Sequence, residues 1–135
     1  MKQTLLPDGW PRPKGYANGI LCEGKMVFTA GVIGWNAREE FESSDLIDQL
    51  RQTLKNTVTI LAEAGAKPSD IVRMTWYVTD IETYRKNLKE IGGVWREEIG
   101  KIFPCMACVA VTALVEPRAV IEIETTAVLT NTENT

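Results

Sequence analysis

Apolar positions recur along the chain with two different periods, and the switches between them lay out its elements. The clearest helical run follows Ser44. Leu46, Ile47, Leu50, Leu54, Val58, Leu61 and Ala62 repeat at three- and four-residue spacing, which places one apolar stripe on a helix. Ser44 is positioned to cap it, Asp45 and Asp48 complement the dipole of its first turns, and Ala64-Gly65 supplies the stop. Period two takes over at residues 71–79, where Val72, Met74, Trp76 and Val78 alternate with Arg73, Thr75, Tyr77 and Thr79. That is a strand with one apolar face. A second helix is expected from Asp80 or Thr83 through Tyr84, Leu88, Ile91, Val94 and Trp95 to Ile99. Gly92 and Gly93 lie in its middle at a cost of about 1 kcal/mol each, so the kink or break is expected there.

Shorter apolar runs complete the layout. Residues 19–23 and 25–31 read as strands joined by a turn around Glu23-Gly24, and residues 34–43 as a loop. Residues 106–114 and 119–128 read as two more strands, separated by the turn at Val115-Glu116-Pro117-Arg118. Pro7, Pro11 and Pro13 make residues 1–15 an extended, non-helical leader, and the polar residues 130–135 are expected to fray. The order is ββαβαββ without an internal repeat: one α+β domain over residues 1–135, with two helices able to cover only one face of its sheet. In the last strand Ile121 and Ile123 oppose Val120, Glu122, Glu124 and Val128; in the preceding one Val109, Val111 and Ala113 oppose Met106, Cys108, Ala110, Thr112 and Leu114. The isoleucine and valine faces are expected beneath the helices. The opposite, mixed face is either wet or buried in an oligomer that pairs its glutamates, and the pattern leaves both open.

Composition narrows the chemistry. With 44% apolar and 24% charged residues the chain is an ordinary globular one, and a net charge of -3 gives no footprint for nucleic acid or an anionic membrane. The N-terminus reaches Pro7-Asp8-Gly9 before any apolar run develops, and no run approaches the roughly 20 residues of a membrane span, so a soluble cytoplasmic protein is expected. There is no histidine, which excludes a Ser-His-Asp triad, a Cys-His pair and a histidine base. Cys105 and Cys108 form a C-x-x-C, but with no second pair and no histidine a zinc site cannot be completed in the usual way. A redox pair belongs at a helix N-terminus, whereas this one opens a strand, so small buried or half-buried thiols are expected. Neither metal nor cofactor is expected.

The C-terminal half carries a recognisable order of motifs. It reads Phe103-Pro104-Cys105-Met106-Ala107-Cys108-Val109-Ala110-Val111, then Ala113-Leu114-Val115-Glu116-Pro117, then Val120-Ile121-Glu122-Ile123-Glu124 ending at Ala127-Val128. This resembles the Pro-Ala-Arg-Ser/Thr-x-Val-x-Val segment, Leu-Pro turn and Ile-Glu-Ile-Glu strand of the Rid (YjgF) family. Ala30-Gly31-Val32-Ile33 resembles the family's Ser-Gly-Gln-Ile, and Gln52-Thr53-Leu54-Lys55-Asn56 its helix segment Gln-x-Leu-x-Asn. Glu63-Ala64-Gly65, Ile71-Val72-Arg73-Met74-Thr75 and Val78-Thr79-Asp80 extend the likeness, which runs from about residue 15 to residue 128.

The resemblance implies a chorismate-mutase-like fold, a homotrimer around a central β-barrel, and ligand clefts between subunits. It implies hydrolytic deamination of enamines or imines, with an arginine gripping the substrate carboxylate, a tyrosine, backbone groups, and a glutamate that orients water. By position the tyrosine matches Tyr16, the glycine Gly31, the cysteine Cys108 and the glutamate Glu122, the candidate catalytic residue. The arginine matches Met106, which offers neither charge nor N–H. Val32 replaces the family's glutamine, so a more apolar cleft is expected. Arg12 and Lys14, just before Tyr16, are the candidate substitute cations. Two readings follow: a deaminase of an atypical substrate, or a trimer that binds a small metabolite without turnover. Ribonuclease roles credited to the family suit an acidic, histidine-free chain least.

Overall fold

The computed structural model describes residues 2–130. Strand β7 (Ile121–Leu129) is its organising element, because three other strands pair with it. Along one edge β3 (Lys25–Phe28) and β4 (Val32–Ile33) follow one another, both antiparallel to β7. Along the other runs β5 (Ile71–Val78), also antiparallel, and β6 (Cys105–Ala110) then pairs with β5 in parallel. Parallel neighbours need long crossovers. Helix α1 (Leu46–Ala62) connects β4 to β5, and α2 (Ile81–Lys86) with α3 (Leu88–Glu98) connects β5 to β6. The sheet is therefore mostly antiparallel with its helices on one face, as the element order implied.

The core lies between that face and the helices. Leu50, Leu54 and Leu61 of α1 meet Met74, Trp76, Val78, Ile121 and Ile123 of the sheet, with Ile91, Val94 and Trp95 of α3 closing the side. Arg51 and Lys55 on α1 pair with Glu97 and Glu98 on α3, at 2.6 Å for the shortest contact. Such partly exposed pairs fix orientation more than they stabilise.

Several expectations need correcting. The cap of α1 is Asp45, not Ser44: its carboxylate accepts from the backbone N–H of Ile47 and Asp48, which the shorter, displaced Ser44 hydroxyl does not. The second helix breaks at Asn87 rather than at Gly92-Gly93. Asn87 leaves helical geometry at φ -118° and its amide donates to the Thr83 carbonyl, while the two glycines continue through α3. The leader contains a strand, β1 (Lys2–Leu5), paired antiparallel with β2 (Gly19–Cys22) apart from the main sheet. Its residues are all exposed, so no apolar alternation marks it. The strand expected over residues 25–31 is interrupted at 29–31, where the Thr29 hydroxyl accepts from the Thr125 N–H before pairing resumes in β4.

The faces of β6 are also the reverse of the expectation. Met106 and Cys108 sit opposite Met74 and Trp76, each 1% exposed, and so lie beneath the helices. Cys105, Ala107 and Val109 share the open face. Apolar residues occupy both sides of this strand, so its own alternation carries no direction; the register against β5 supplies it. Cys105 and Cys108 thus face opposite ways along one strand and both thiols are free and half-buried. The polar tail after Thr130 lies outside the described residues.

One polar side chain ties α1 to the turn before β7. Gln49, 1% exposed, donates to the carbonyls of Ser43 and Arg118 at 3.0 and 2.9 Å and accepts from the Val120 N–H at 2.8 Å. It satisfies three backbone groups that the sheet ladder does not reach. Gln49→Leu keeps the volume and orphans all three. We expect a loss of about 2–4 kcal/mol in urea unfolding, with an unchanged m-value.

Candidate functional site

A cavity of about 490 Å³ opens between the α2–α3 layer and the edge of the sheet. Met106, Ala107 and Cys108 of β6 and Trp76 of β5 form its sheet wall; Tyr84, Leu88, Ile91, Gly92, Trp95 and Arg96 form the helical wall. Lys14, Gly15 and Tyr16 close it from the leader, and Gly100, Lys101 and Phe103 from the segment before β6. The leader is held there because Ala17 bridges to Cys105 and its N–H donates to the Pro104 carbonyl at 3.1 Å. That one contact carries Tyr16 to the mouth of the cavity.

Aromatic rings dominate the interior. Trp76 stands 6.0 Å from Trp95 and meets Tyr84 edge-on at 6.4 Å between centroids. The Trp95 indole donates to the Ile102 carbonyl at 3.1 Å, whereas the Trp76 indole N–H has no acceptor among the described residues. The Tyr84 phenol and the Cys108 thiol are neighbours in the cavity wall. Burial pushes the Tyr84 phenol up to about 12, helped by the neighbouring Cys108. Burial also raises the Cys108 thiol, against a smaller opposing effect of the Tyr84 hydroxyl. Cys108 is therefore a neutral wall of the cavity rather than a ready nucleophile.

A second cluster lies on the other face of the sheet. The Glu122 carboxylate fills the space that a Cβ on Gly31 would take, so any side chain there would displace that carboxylate. Beside it the Tyr77 hydroxyl donates to Glu124, and that carboxylate holds the phenol protonated to higher pH. Val32, in register with Ile123, is not part of this cluster: it is buried on the helix side of the sheet.

Tyr16, Met106 and Cys108 thus converge on one cavity, while Gly31, Val32 and Glu122 are not on it. Arg12 lines a neighbouring cavity of about 690 Å³ that shares Tyr16, Lys101 and Phe103 but not Met106. Of the two leader cations, Lys14 is the one on the Met106 cavity. Sequence reasoning missed Trp76, Tyr84, Trp95, Arg96 and Lys101 as cavity residues. Trp76, Tyr84 and Trp95 read as ordinary core stripes, and the pairing of Tyr84 with Cys108 has no signature in spacing. Among the described residues no cluster of His, Cys, Asp or Glu could hold a metal ion, and no helix is long and apolar enough to cross a membrane.

Fold and site together define a small α+β domain with an aromatic cavity at its sheet edge. The family model described as Endoribonuclease L-PSP matches residues 11–129, and the chain belongs to that family, the Rid (YjgF) family. It is 33% identical over 130 residues to the 2-iminobutanoate/2-iminopropanoate deaminase of Escherichia coli, covering 95% of this chain and 98% of that one. A RutC family protein of Pyrococcus horikoshii is 32% identical over 126 residues, covering 92% and 95%. Among solved structures, the Rid protein YyfB of Yersinia pestis, described as of unknown function, superimposes with a TM-score of 0.84 at 30% identity, covering 95% and 98%. E. coli TdcF with bound serine gives 0.68 at 30% identity, covering 95% and 99%.

The Tyr84–Cys108 pair has a chemical consequence. The Tyr84 hydroxyl favours the thiolate, so Tyr84→Phe should raise the Cys108 pKa further and shrink the thiolate fraction at any given pH. Alkylation of Cys108 by iodoacetamide at pH 8.5, followed by peptide mass spectrometry, should be slower in the variant than in the parent. Faster alkylation would show that the phenol shields the thiol instead.

Proposed function

We propose that this protein binds a small metabolite in clefts completed between copies of the chain in a homotrimer, and hydrolyses an enamine or imine without a guanidinium at position 106. The observation that carries the proposal is the convergence of Tyr16, Met106 and Cys108 on one cavity. These are the positions that match the family's tyrosine, arginine and cysteine. The names of the deaminase relatives supply the reaction class.

Two features support assembly. Glu122 lies across the sheet from the cavity, so a single chain does not bring its carboxylate to Met106. The open face that carries Glu122 also exposes Met26, Phe28 and Val109, at 61%, 66% and 44%. A trimer built on this face would bury that apolar surface and set the glutamate of one copy near a cavity of another.

In the proposed reaction a water molecule adds to the imine carbon while the Glu122 carboxylate takes its proton. Glu122 delivers that proton to the nitrogen to give the neutral carbinolamine, whose hydroxyl proton then passes to the nitrogen as the C–N bond breaks, releasing the carbonyl compound and ammonia. Tyr16 at the cavity mouth positions the ligand. The charge of -3 and the lack of histidine favour neither a nucleic-acid nor a membrane partner, and the proposal places the protein in the cytoplasm. Met106 itself favours the second reading, binding without turnover, because it removes the carboxylate anchor.

Sedimentation should give a species of three times the 15.0 kDa chain mass. Glu122→Gln should abolish ammonia release from a panel of freshly generated imines while leaving that mass unchanged. A parent protein that releases no ammonia from any of them, yet is stabilised thermally by a carbonyl product, would establish binding without turnover. Met106→Arg restores the planar anchor and should raise turnover of 2-iminopropanoate by about tenfold or more.

A further inference from the structure

Resting on the reading of this cavity as the ligand site, we infer that its ligand is an aromatic carboxylate, held ring-inward with the carboxylate at the mouth.

Its inner wall is aromatic. Trp76 is 1% exposed and Trp95 9%, and with the half-buried Tyr84 they line the inner side of a space large enough for a bicyclic ring, while Phe103, 54% exposed, stands at the rim. At the floor, where the resemblance leads one to expect a guanidinium, Met106 offers a polarisable thioether that packs against ring edges. An anionic group directed to the floor would find no cation there.

The mouth is the reverse. Lys14, Arg96 and Lys101 are all exposed and all line the cavity, and no carboxylate is among its lining residues. None of the three is in an ion pair among the described residues, whereas Arg38, Arg51, Lys55 and Arg85 are. Three cations from the leader, α3 and the segment before β6 thus surround the entrance of an apolar chamber. A ligand that satisfies both ends carries its ring inside and its negative charge outside. Short imino acids, which are little more than a carboxylate, leave the chamber empty and do not fit that division.

The test uses the full chain carrying ¹³C-methyl methionine. Indole-3-acetate and phenylpyruvate serve as aromatic probes, indole-3-acetamide as the neutral isostere, and 2-oxobutanoate as the short acid. Ring currents from a bound aromatic should move the Met106 methyl signal while Met74, in the core, and Met26, on the open face, stay in place. The two aromatic acids should bind about tenfold or more tightly than either the amide or 2-oxobutanoate. Replacing Lys14, Arg96 and Lys101 together by alanine should remove the preference for acid over amide and its salt dependence, leaving the residual ring affinity. Tighter binding of 2-oxobutanoate, with the Met106 signal moving, would overturn the aromatic ligand and leave the cavity as the site. Equal affinity for acid and amide would overturn the role of the mouth. If no probe moves Met106, the ligand class and the cavity reading fall together.

Discussion

Strand β7 has to satisfy two environments at once, and most of the molecule follows from the way its alternation does so. Ile121, Ile123, Thr125 and Ala127 are buried toward the helices, while Glu122 and Glu124 point to the opposite side. Because β3, β4 and β5 all register on β7, that division passes to their side chains. Through β5 it passes to β6 and decides that Met106 and Cys108 look toward the helices. A shift of one residue in β7 would bring Glu122 and Glu124 into the core.

The two sides then acquire different chemistry. The helix side is filled except at the sheet's edge, where the break at Asn87 and the pinned leader leave the aromatic chamber between α3 and β6. The open side keeps a glycine at position 31 so that a carboxylate can lie flat against the backbone, with a tyrosine–glutamate hydrogen bond beside it. Neither cluster resembles a complete catalytic centre by itself. One has rings, thiol and cations; the other has the carboxylates.

Much of this was legible in the residues. The stripe from Leu46 to Leu61 and the alternation from Val72 to Val78 gave α1 and β5 because burial of one face dictates each period. The isoleucine–glutamate alternation gave the orientation of β7 for the same reason. What was not legible has local causes. In β6 both faces are apolar, so only pairing with β5 reveals that Met106 faces inward. In the leader, β1 is held by backbone pairing to β2 with exposed side chains, and no pattern records that. Asn87 ends a helix through its own side-chain hydrogen bond to Thr83, while the glycines that looked like breakers are tolerated in α3. Motif matching grouped Tyr16, Gly31, Met106, Cys108 and Glu122, of which Tyr16, Met106 and Cys108 line the cavity, and the aromatic neighbours of these three come from three separate elements that only the fold brings together.

The position of β7 in the chain also bears on how the molecule is made. Every strand it pairs with, and every helix that packs against it, precedes it in sequence. Until residues 121–129 are available, β3, β4 and β5 have no common neighbour, and the leucines of α1 face a sheet that does not yet exist. The contacts that close the domain are nearly all long-range, between Lys25–Phe28 and the last strand above all. Such a chain gains little by folding piecemeal during synthesis and is expected to collapse as a unit once its central strand has left the ribosome. During that interval the apolar faces of both helical segments are exposed, and chaperone occupancy is most useful then.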